Sequence, residues 1–266
     1  MLKRTLTALV LAAIGIPAII FGGVFFWFLM AFFLGIAAWE YANLMRGAKF
    51  EPQQALIVVG ALLLLVVRTR IPAYAEATLT GLALLAMSLH LLAFERGRDQ
   101  AAGDFAITVT GLLYLGWIGA YLVKLRELPG GVYWFTLVMP SVWLADSGAY
   151  LIGKNFGKHK LSPRLSPKKT WEGYFGGILF GVIGGMLFAW LWRNDIPVTL
   201  LNGAVIGLFL AALTTLGDLG ESMIKRQAGI KDSSNILPGH GGIFDRIDTW
   251  LWASALGYYL ITWFFL

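Results

Sequence analysis

Long apolar stretches recur along this chain from one end to the other, and only short charged turns separate most of them. Because lipid offers the backbone no hydrogen-bond partners, a segment that crosses a bilayer must be a helix or part of a closed barrel. The residue alternation typical of a membrane β-barrel is missing. The 266 residues are 58% hydrophobic and only 14% charged, which exceeds the apolar content of a soluble domain. The sequence therefore predicts an all-α, polytopic integral membrane protein.

Nine segments are apolar enough to be predicted as transmembrane helices. Their approximate bounds are 5–20, 22–44, 54–67, 77–94, 104–123, 131–153, 173–192, 198–220 and 249–265. The first and third are shorter than the roughly 20 residues that cross a bilayer, so we expect them to be tilted, kinked or partly re-entrant. The first also resembles a signal peptide, with Lys3 and Arg4 ahead of its apolar run. A second apolar segment follows almost at once, which favours a retained helix.

The basic residues give this arrangement an orientation. With nine spans and a cytoplasmic N-terminus, 16 of the 21 lysines and arginines fall on the cytoplasmic side, in agreement with the positive-inside rule. Two long polar regions, about 154–172 and 221–248, fall on the same side. We therefore divide the chain into an N-terminal transmembrane scaffold, 1–125, and a C-terminal transmembrane catalytic region, 126–266. The absence of cysteine excludes disulfides, thiolate metal sites and a cysteine nucleophile.

Aspartates near the cytoplasmic ends of two predicted helices are candidate metal ligands. Asp218 falls near the end of the eighth span, with Glu221 and Lys225 on its helix face. A carboxylate at bilayer depth costs about 2.5–3.5 kcal/mol, so it needs a cation; a polar helix end with Glu221 paired to Lys225 is the alternative. Asp245 and Asp248 open the last span, where helix capping alone would also favour acids. Aspartates that converge from the two helix ends would form a hard-oxygen site suited to Mg²⁺.

A basic segment precedes the seventh predicted span. It carries Lys154, Lys158, Lys160, Arg164, Lys168 and Lys169, and no acid before Glu172. Such a loop either touches anionic lipid headgroups or binds a phosphate. Ser166 is predicted to cap a helix with Pro167 at its first position, which places Lys168 and Lys169 in the first turn. Because lysines there oppose the helix dipole, the pattern favours a bound, multiply charged anion.

Asp146 falls within the sixth predicted span, and an intramembrane acid indicates either a functional site or a buried salt bridge. A metal, Lys168 or Lys169, or a substrate would each satisfy its charge. Four other polar residues are interpreted as structural: Glu40 and Asp104 in helix-end roles, His90 in packing and His159 in a loop.

Several stretches of the C-terminal half resemble one enzyme family. Residues 222–226 (SMIKR), 231–232 (KD) and 237–248 (LPGHGGIFDRID) closely resemble the signature of phosphatidate cytidylyltransferases, also called CDP-diacylglycerol synthases. Residues 146–150 (DSGAY) and 166–173 (SPKKTWEG) resemble a second region of that family. The resemblance covers about residues 140–250, and elsewhere it rests on length and hydropathy.

The resemblance implies a bacterial inner-membrane enzyme that joins CTP and phosphatidic acid at the cytoplasmic face, giving CDP-diacylglycerol and pyrophosphate. It implies Mg²⁺ as cofactor, membrane lipids and a second copy of the chain as partners, and no nucleic acid. The implied metal ligands are Asp218 and Asp245, and the sequence leaves open whether a second cation joins them. The implied catalytic residues are Asp218, Asp245, Asp248, Lys225 and Arg226. The implied substrate-binding residues are Asp146, Ser166, Lys168, Lys169, Thr170, Glu172, Gly239, His240, Gly241, Gly242 and Arg246.

The chemistry of the implied reaction narrows the expected roles. A phosphate monoester has a second pKa of about 6, so phosphatidate already presents a nucleophilic oxygen at neutral pH and no general base is needed. We therefore interpret His240 as a residue that donates a hydrogen bond to a phosphate or organises the turn. The candidate clamps on the phosphates are Lys168, Lys169, Arg226 and Arg246. The glycines at 239, 241 and 242 would let backbone N–H groups approach phosphate oxygens.

Two other functions would use similar sequence features. A CTP-dependent lipid kinase, acting on a polyprenol or phytol, needs a comparable phosphate-and-metal site but releases CDP and a phosphorylated alcohol. A transporter or flippase would account for short, glycine-interrupted spans and for Asp146, but no inverted repeat is detectable in the sequence.

Overall fold

The computed structural model describes residues 2–237, 239 and 241–266, and at residues 2–4 and 6 it describes the backbone alone. The described residues are mostly helical. The helices are α1 (Leu2–Phe21), α2 (Gly23–Gly47), α3 (Gln54–Arg70), α4 (Ala75–Glu95), α5 (Ala101–Gly111), α6 (Tyr121–Arg126), α7 (Gly131–Phe156), α8 (Trp171–Trp192), α9 (Leu200–Gln227) and α10 (Phe244–Phe264). A 3₁₀ turn, Pro72–Tyr74, precedes α4, and a π-helical stretch, Leu112–Ile118, joins α5 to α6. An antiparallel hairpin of β1 (Lys160–Ser162) and β2 (Ser166–Thr170) precedes α8.

Six helical segments in the described part of the chain are long and apolar enough to cross a bilayer. They are Gly23–Gly47, Pro72–Glu95, Ala101–Arg126, Gly131–Phe156, Trp171–Trp192 and Leu200–Gln227. These segments confirm the predicted class, an all-α integral membrane protein. The other three predicted spans are helical too, but the apolar part of α1 is short, α3 has 17 residues and α10 begins with charged residues. The count of nine spans and the cytoplasmic N-terminus stay predictions.

The chain forms two compact units. The first comprises Met1–Val123 and Ile224–Ile247. In this unit α2 and α3 supply much of the apolar core, with Leu34 and Leu64 fully buried. Arg68 is also buried; its guanidinium donates to the carbonyl of Trp117 and lies 4.0 Å from the Trp117 ring centroid. The π-helical stretch therefore stabilises the buried charge of this arginine through a hydrogen bond and a cation–π contact.

The second unit comprises Lys124–Met223 and Asp248–Leu266. Its helices α7, α8 and α9 approach closely because α8 presents glycines to both neighbours. A Cβ at Gly184 would lie 3.1 Å from the Cα of Ser141 on α7. On the other side, Gly185 faces backbone atoms of Gly203 on α9 so closely that neither position has room for a side chain. This packing fixes the helices from which the acidic residues of the second unit project.

The segment SPKKT is a strand, so the predicted helix start at Ser166 is wrong. Pro167 disfavours helical geometry for the residue before it, and Ser166 pairs with Ser162 across the hairpin. Helix α8 begins at Trp171, and its N-cap is Thr170, whose hydroxyl accepts a hydrogen bond from Gly173 N at 3.2 Å. Lys168 therefore precedes the helix, and the helix-dipole argument for an anion at this point does not apply.

The polar region between α9 and α10 is shorter than predicted. Helix α9 continues to Gln227 and α10 starts at Phe244, which leaves residues 228–243 as the connection, here called the α9–α10 loop. Hydropathy marks where a helix leaves the apolar phase, whereas the helix itself continues as long as its backbone hydrogen bonds are made. Both Asp218 and Glu221 therefore project from helix, and Asp245 lies in the first turn of α10.

Candidate active site

Three carboxylates lie together in the second unit. Asp218 and Glu221 project from α9 and Asp248 projects from α10, and one oxygen from each lies within 4.8 Å of the other two. The two helices approach here because Gly217 leaves room for the ring of Trp252. Glu221 is 2% exposed and Asp248 is 7% exposed. We refer to Asp218, Glu221 and Asp248 as the acidic cluster.

The acidic cluster has the donor chemistry of a divalent-cation site. Lys169 reaches it from β2, with its Nζ 2.5 Å from Asp218 Oδ2. The three carboxylates carry a formal charge of −3, and Lys169 offsets one of these charges. At 4.8 Å, each like-charged pair repels by about 3.5 kcal/mol at an effective dielectric constant of 20. Hard carboxylate oxygens with this net charge fit Mg²⁺, which is typically bound by one or two carboxylates, waters and substrate phosphates.

Asp146 belongs to the same surroundings. Its carboxylate interacts electrostatically with both Asp218 and Lys169. Asp146 and the adjacent Ser147 lie on an exposed face of α7, within a segment apolar enough to cross a membrane. Lys168 and Lys169 were among the partners predicted for this acid, and in the structure it is Lys169 that pairs with the neighbouring Asp218.

The base of the hairpin uses two of the predicted substrate-binding residues for internal hydrogen bonds. Thr170 is 4% exposed and caps α8. Glu172 accepts hydrogen bonds from Lys158 N at 3.1 Å and from His159 N at 3.2 Å, and its Oε1 lies 2.6 Å from His159 Nδ1. Lys168 remains exposed on β2. These contacts orient the hairpin that presents Lys168 and Lys169.

In the first unit, Asp245 organises the α9–α10 loop. Its Oδ1 lies 2.7 Å from Lys225 Nζ, and the two side chains are only 5% and 13% exposed. Its Oδ2 accepts hydrogen bonds from Ser233 N at 2.9 Å, from Ser233 Oγ at 2.9 Å and from Gly242 N at 2.8 Å. A carboxylate with this many donors is held firmly in one orientation.

Glycine is favoured at three positions of this loop for different structural reasons. Gly239 and Gly241 have φ values of +78° and +81°, a left-handed conformation that favours glycine. Gly242 has no room for a side chain, because a Cβ there would lie 2.6 Å from both carboxylate oxygens of Glu40. Because the Gly242 N–H donates to Asp245, the N–H groups of Gly239 and Gly241 are better suited to donate hydrogen bonds to a phosphate. The predicted roles of His240 lie outside the described residues.

The two predicted arginines lie on the surface of the first unit. Arg226 is exposed and its Nη1 donates to Ile230 O at 3.3 Å, and Arg246 is exposed in the first turn of α10. Both guanidinium groups are therefore accessible to an anion. The roles of Arg226 and Arg246 as phosphate clamps stay predictions.

The contacts of Glu40 with distant parts of the chain were not predicted from the sequence. Glu40 lies seven residues before the end of α2, is fully buried, and accepts hydrogen bonds from the α9–α10 loop and from the start of α10. The helix-end role predicted for it is therefore wrong. The signal was present, because Glu40 interrupts an apolar run in the same way as Asp146. Glu221 was predicted on the helix face of Asp218, with Lys225 as its possible partner, but not as a metal ligand; the structure places it in the acidic cluster.

The predicted metal pair draws one member from each unit. Asp218 belongs to the acidic cluster of the second unit, and Asp245 belongs to the first unit, where it pairs with Lys225. Sharing of one ion by Asp218 and Asp245 stays a prediction.

Known proteins match this chain over almost its whole length. A model described as the cytidylyltransferase family matches residues 2–264. A phosphatidate cytidylyltransferase of Pseudomonas aeruginosa is 38% identical over 274 residues, covering 96% of this chain and 98% of the relative. A protein of the same name from Synechocystis is 32% identical over 288 residues, covering 97% and 96%. One from Bacillus subtilis is 41% identical over 153 residues, covering 57% and 56%. The resemblance predicted from the sequence is therefore confirmed, and the chain belongs to the cytidylyltransferase family.

Proposed function

We propose that this chain is a phosphatidate cytidylyltransferase, a membrane nucleotidyltransferase that converts CTP and phosphatidic acid into CDP-diacylglycerol and pyrophosphate. The observation that carries the proposal is the acidic cluster, with its Lys169 partner, in an integral membrane protein of this family. Two relatives that carry the name phosphatidate cytidylyltransferase match more than nine-tenths of the chain. The cation-binding chemistry of the acidic cluster is thus consistent with a reaction between a nucleotide and an anionic lipid.

Asp218, Glu221 and Asp248 are the residues that would hold Mg²⁺. When bound, the ion neutralises charge on the nucleotide phosphates, which otherwise repel the anionic lipid headgroup. Glu221 and Asp248 are buried and Asp218 is partly exposed. That combination suits a site in which protein oxygens occupy one side of the cation and substrate oxygens the other. Asp245 is kept as a candidate fourth carboxylate, and a second cation is left to experiment.

The remaining polar groups act on the phosphates. The phosphatidate oxygen attacks the α-phosphorus of CTP and pyrophosphate leaves in line, with the lipid phosphate already ionised at neutral pH. Lys169, which pairs with Asp218, orients one phosphate group, and the exposed Lys168 provides a second positive charge beside it. Arg226 and Arg246 are further candidate cations for the phosphates, and Gly239 and Gly241 can offer backbone N–H groups. Asp146, which interacts electrostatically with Lys169, is a further candidate contact for a substrate.

The predicted topology completes the proposal. Nine spans with a cytoplasmic N-terminus place both catalytic segments at the cytoplasmic face of the inner membrane, which is the side where CTP is made available. The C-terminal region, 126–266, then carries the chemistry and residues 1–125 act as a scaffold. A homodimer is proposed from the resemblance. Cysteine introduced into the α9–α10 loop should react with a membrane-impermeant thiol reagent only in inside-out vesicles.

One assay tests the reaction. Purified protein in lipid vesicles receives CTP, phosphatidic acid and Mg²⁺, and the products are identified by mass. We expect pyrophosphate and CDP-diacylglycerol in equal amounts. The competing activity, a CTP-dependent lipid kinase, would instead give CDP and a phosphorylated alcohol when a polyprenol or phytol is supplied. Formation of those products, with no pyrophosphate from phosphatidic acid, would refute the proposal.

A second experiment separates the metal ligands from their neighbours. Asp218→Asn should abolish pyrophosphate release and weaken binding of Mn²⁺, used as a spectroscopic substitute for Mg²⁺. Asp245→Asn should abolish turnover as well. If Asp245 is a ligand, Mn²⁺ affinity falls with it; if it acts through Lys225 and the loop, Mn²⁺ affinity stays within about twofold of the wild type while turnover is lost. Full turnover by Asp218→Asn would remove the metal assignment.

A further inference from the structure

Glu40 is a fully buried carboxylate on a transmembrane helix, and its hydrogen-bond donors come from a distant part of the chain. We propose that Glu40 is a positioning residue that holds the α9–α10 loop and the first turn of α10 in their reactive arrangement. This inference rests on the proposed function, since it assigns a purpose to that loop, and it adds a residue outside the stretches that carry the family resemblance.

The contacts of Glu40 are directional and come from one segment. Its Oε1 accepts hydrogen bonds from Ser234 Oγ at 2.5 Å and from Ile243 N at 3.1 Å. Its Oε2 accepts from Phe244 N at 2.7 Å. The N–H groups of Ile243 and Phe244 belong to the start of α10 and have no partner within the helix. Glu40 therefore fixes both the loop and the position at which α10 begins.

Two adjacent serines of the loop, Ser233 and Ser234, link Asp245 and Glu40 through the backbone. The Ser233 hydroxyl lies 2.9 Å from Asp245 Oδ2 and 3.3 Å from Glu40 Oε2. The hydroxyl has a single hydrogen, and the shorter distance favours Asp245 as its acceptor. Ser233 N also donates to Asp245. The adjacent Ser234 donates to Glu40. A shift of the Ser233–Ser234 segment would therefore disturb both contacts, so Glu40 and Asp245 hold the same part of the loop.

Gly242 gives independent evidence that this arrangement is built closely around Glu40. Its missing Cβ would collide with both carboxylate oxygens of Glu40 and with the hydroxyl of Ser233. Its N–H donates to Asp245 Oδ2 at 2.8 Å. The backbone of the loop thus passes between the two acids, and glycine is the residue that fits there.

A carboxylate at this position satisfies donors that an apolar side chain could not. With an apolar residue there, the Ser234 hydroxyl and the N–H groups of Ile243 and Phe244 would lose their acceptor, which is costly for buried groups. A carboxylate that collects a hydroxyl and two backbone N–H groups specifies one conformation of the segment that carries Asp245. Under the proposed function, that segment presents Asp245, Arg246 and the glycine N–H groups to the phosphates of CTP.

The test compares Glu40→Gln with Glu51→Gln. The first keeps the size of the side chain but turns one acceptor into an N–H donor that faces donors of the loop. The second removes a carboxylate from the same region of the chain, where Glu51 pairs with Arg98 at 3.3 Å and is 70% exposed. Both are measured in vesicles for kcat, for KM of each substrate, and for backbone hydrogen exchange of peptides from the loop and from α2.

For Glu40→Gln we expect faster exchange confined to residues 231–247, and a kcat/KM for CTP lowered by about ten- to a hundredfold, as small misplacements of a reacting group can cause. KM for CTP should rise, whereas a merely smaller folded fraction would lower the maximal rate alone. Glu40→Asp should recover part of the loss, because it restores the charge at a shorter reach. Glu51→Gln should match the wild type in every measurement.

Three outcomes would overturn the inference. They are unchanged kinetics of Glu40→Gln despite faster loop exchange, lost activity without any change in loop exchange, and exchange raised throughout α2 with KM unchanged. If Glu40→Gln does not fold, Ser234→Ala removes one donor and leaves the carboxylate in place; it should raise loop exchange and KM for CTP severalfold, and wild-type values would contradict the inference. If the wild type itself releases no pyrophosphate, the proposed function fails, and loop exchange alone still decides whether Glu40 holds the loop.

Discussion

Removing one acid from the acidic cluster should raise the stability of the metal-free protein and reduce the stabilisation that Mg²⁺ adds. The perturbation is Glu221→Gln, which keeps the size of the side chain and removes one charge. Glu221 is 2% exposed and its carboxylate lies within 4.8 Å of the oxygens of Asp218 and Asp248. In the absence of a cation its charge is repelled by both neighbours.

The size of the effect follows from that separation. At 4.8 Å, each pair repels by about 3.5 kcal/mol at an effective dielectric constant of 20. Lys169 and mobile cations already offset most of this, so we expect the metal-free variant to be more stable than the wild type by about 1–2 kcal/mol. At a Mg²⁺ concentration 100 times the Kd, the ion stabilises the wild type by about 2.7 kcal/mol; a tenfold weaker site leaves about 1.4 kcal/mol.

The assay is thermal unfolding of purified protein, followed by tryptophan fluorescence, in EDTA and across a Mg²⁺ titration. A change of 1 kcal/mol corresponds to about 2–4 °C in Tm for a chain of roughly this size. Glu221→Gln should therefore unfold higher than the wild type in EDTA and gain less from Mg²⁺. Glu95→Gln, an exposed acid in the last turn of α4, serves as the control and should behave like the wild type. A lower Tm of Glu221→Gln in EDTA, with an unchanged Mg²⁺ response, would refute the cation-site reasoning.

Four other substitutions test other parts of the structure. Lys169→Ala should lower kcat/KM by about a hundredfold or more, because it leaves Asp218 without its partner, whereas Lys168→Ala should raise KM for CTP only severalfold; equal effects in steady-state kinetics would contradict the different placement of the two lysines. Thr170→Val should destabilise the chain by about 1 kcal/mol through loss of the α8 cap, seen as a lower Tm with KM unchanged, and a selective rise in KM would instead indicate substrate contact. Gly207→Val should prevent the close approach of α8 and α9 and greatly reduce the yield of folded protein in size-exclusion chromatography; normal yield and Tm would show that this packing tolerates a gap.

Much of the helical architecture could be predicted from hydropathy, because apolar runs must be helical in lipid and each predicted segment is helical. The same reasoning placed the end of α9 at about residue 220. It misplaced that end because polarity marks the boundary of the membrane and the helix extends beyond it to Gln227. The spacing of Asp218 and Glu221 on one helix face was predictable from the helical period, since it depends on local geometry alone.

The rest of the candidate site depends on contacts between distant residues. Ser166 has the local pattern of an N-cap, but pairing with Ser162 makes its segment a strand. Glu40 and Phe244 are separated by 204 residues, and no periodic pattern links them. Asp248 enters the acidic cluster only because Gly217 admits the ring of Trp252. Each of these features is decided by tertiary packing, which a local reading of one sequence does not contain.

The length of α9 has a consequence for how the lipid is handled in the proposed reaction. Its 28 residues extend about 42 Å, whereas the hydrocarbon layer is about 30 Å thick. Asp218 lies about 27 Å from the start of the helix. Under the proposed topology, in which α9 starts at the outer edge of the hydrocarbon layer, this distance would place Asp218 near the depth of the ester linkages and headgroups. Moving two acyl chains of about 30 methylenes into water would cost about 24 kcal/mol. With the carboxylates at this depth, the acyl chains would stay in the hydrocarbon layer throughout the reaction. The lipid reactant and product would then exchange by lateral diffusion in the membrane, and only the nucleotide and pyrophosphate would diffuse through water.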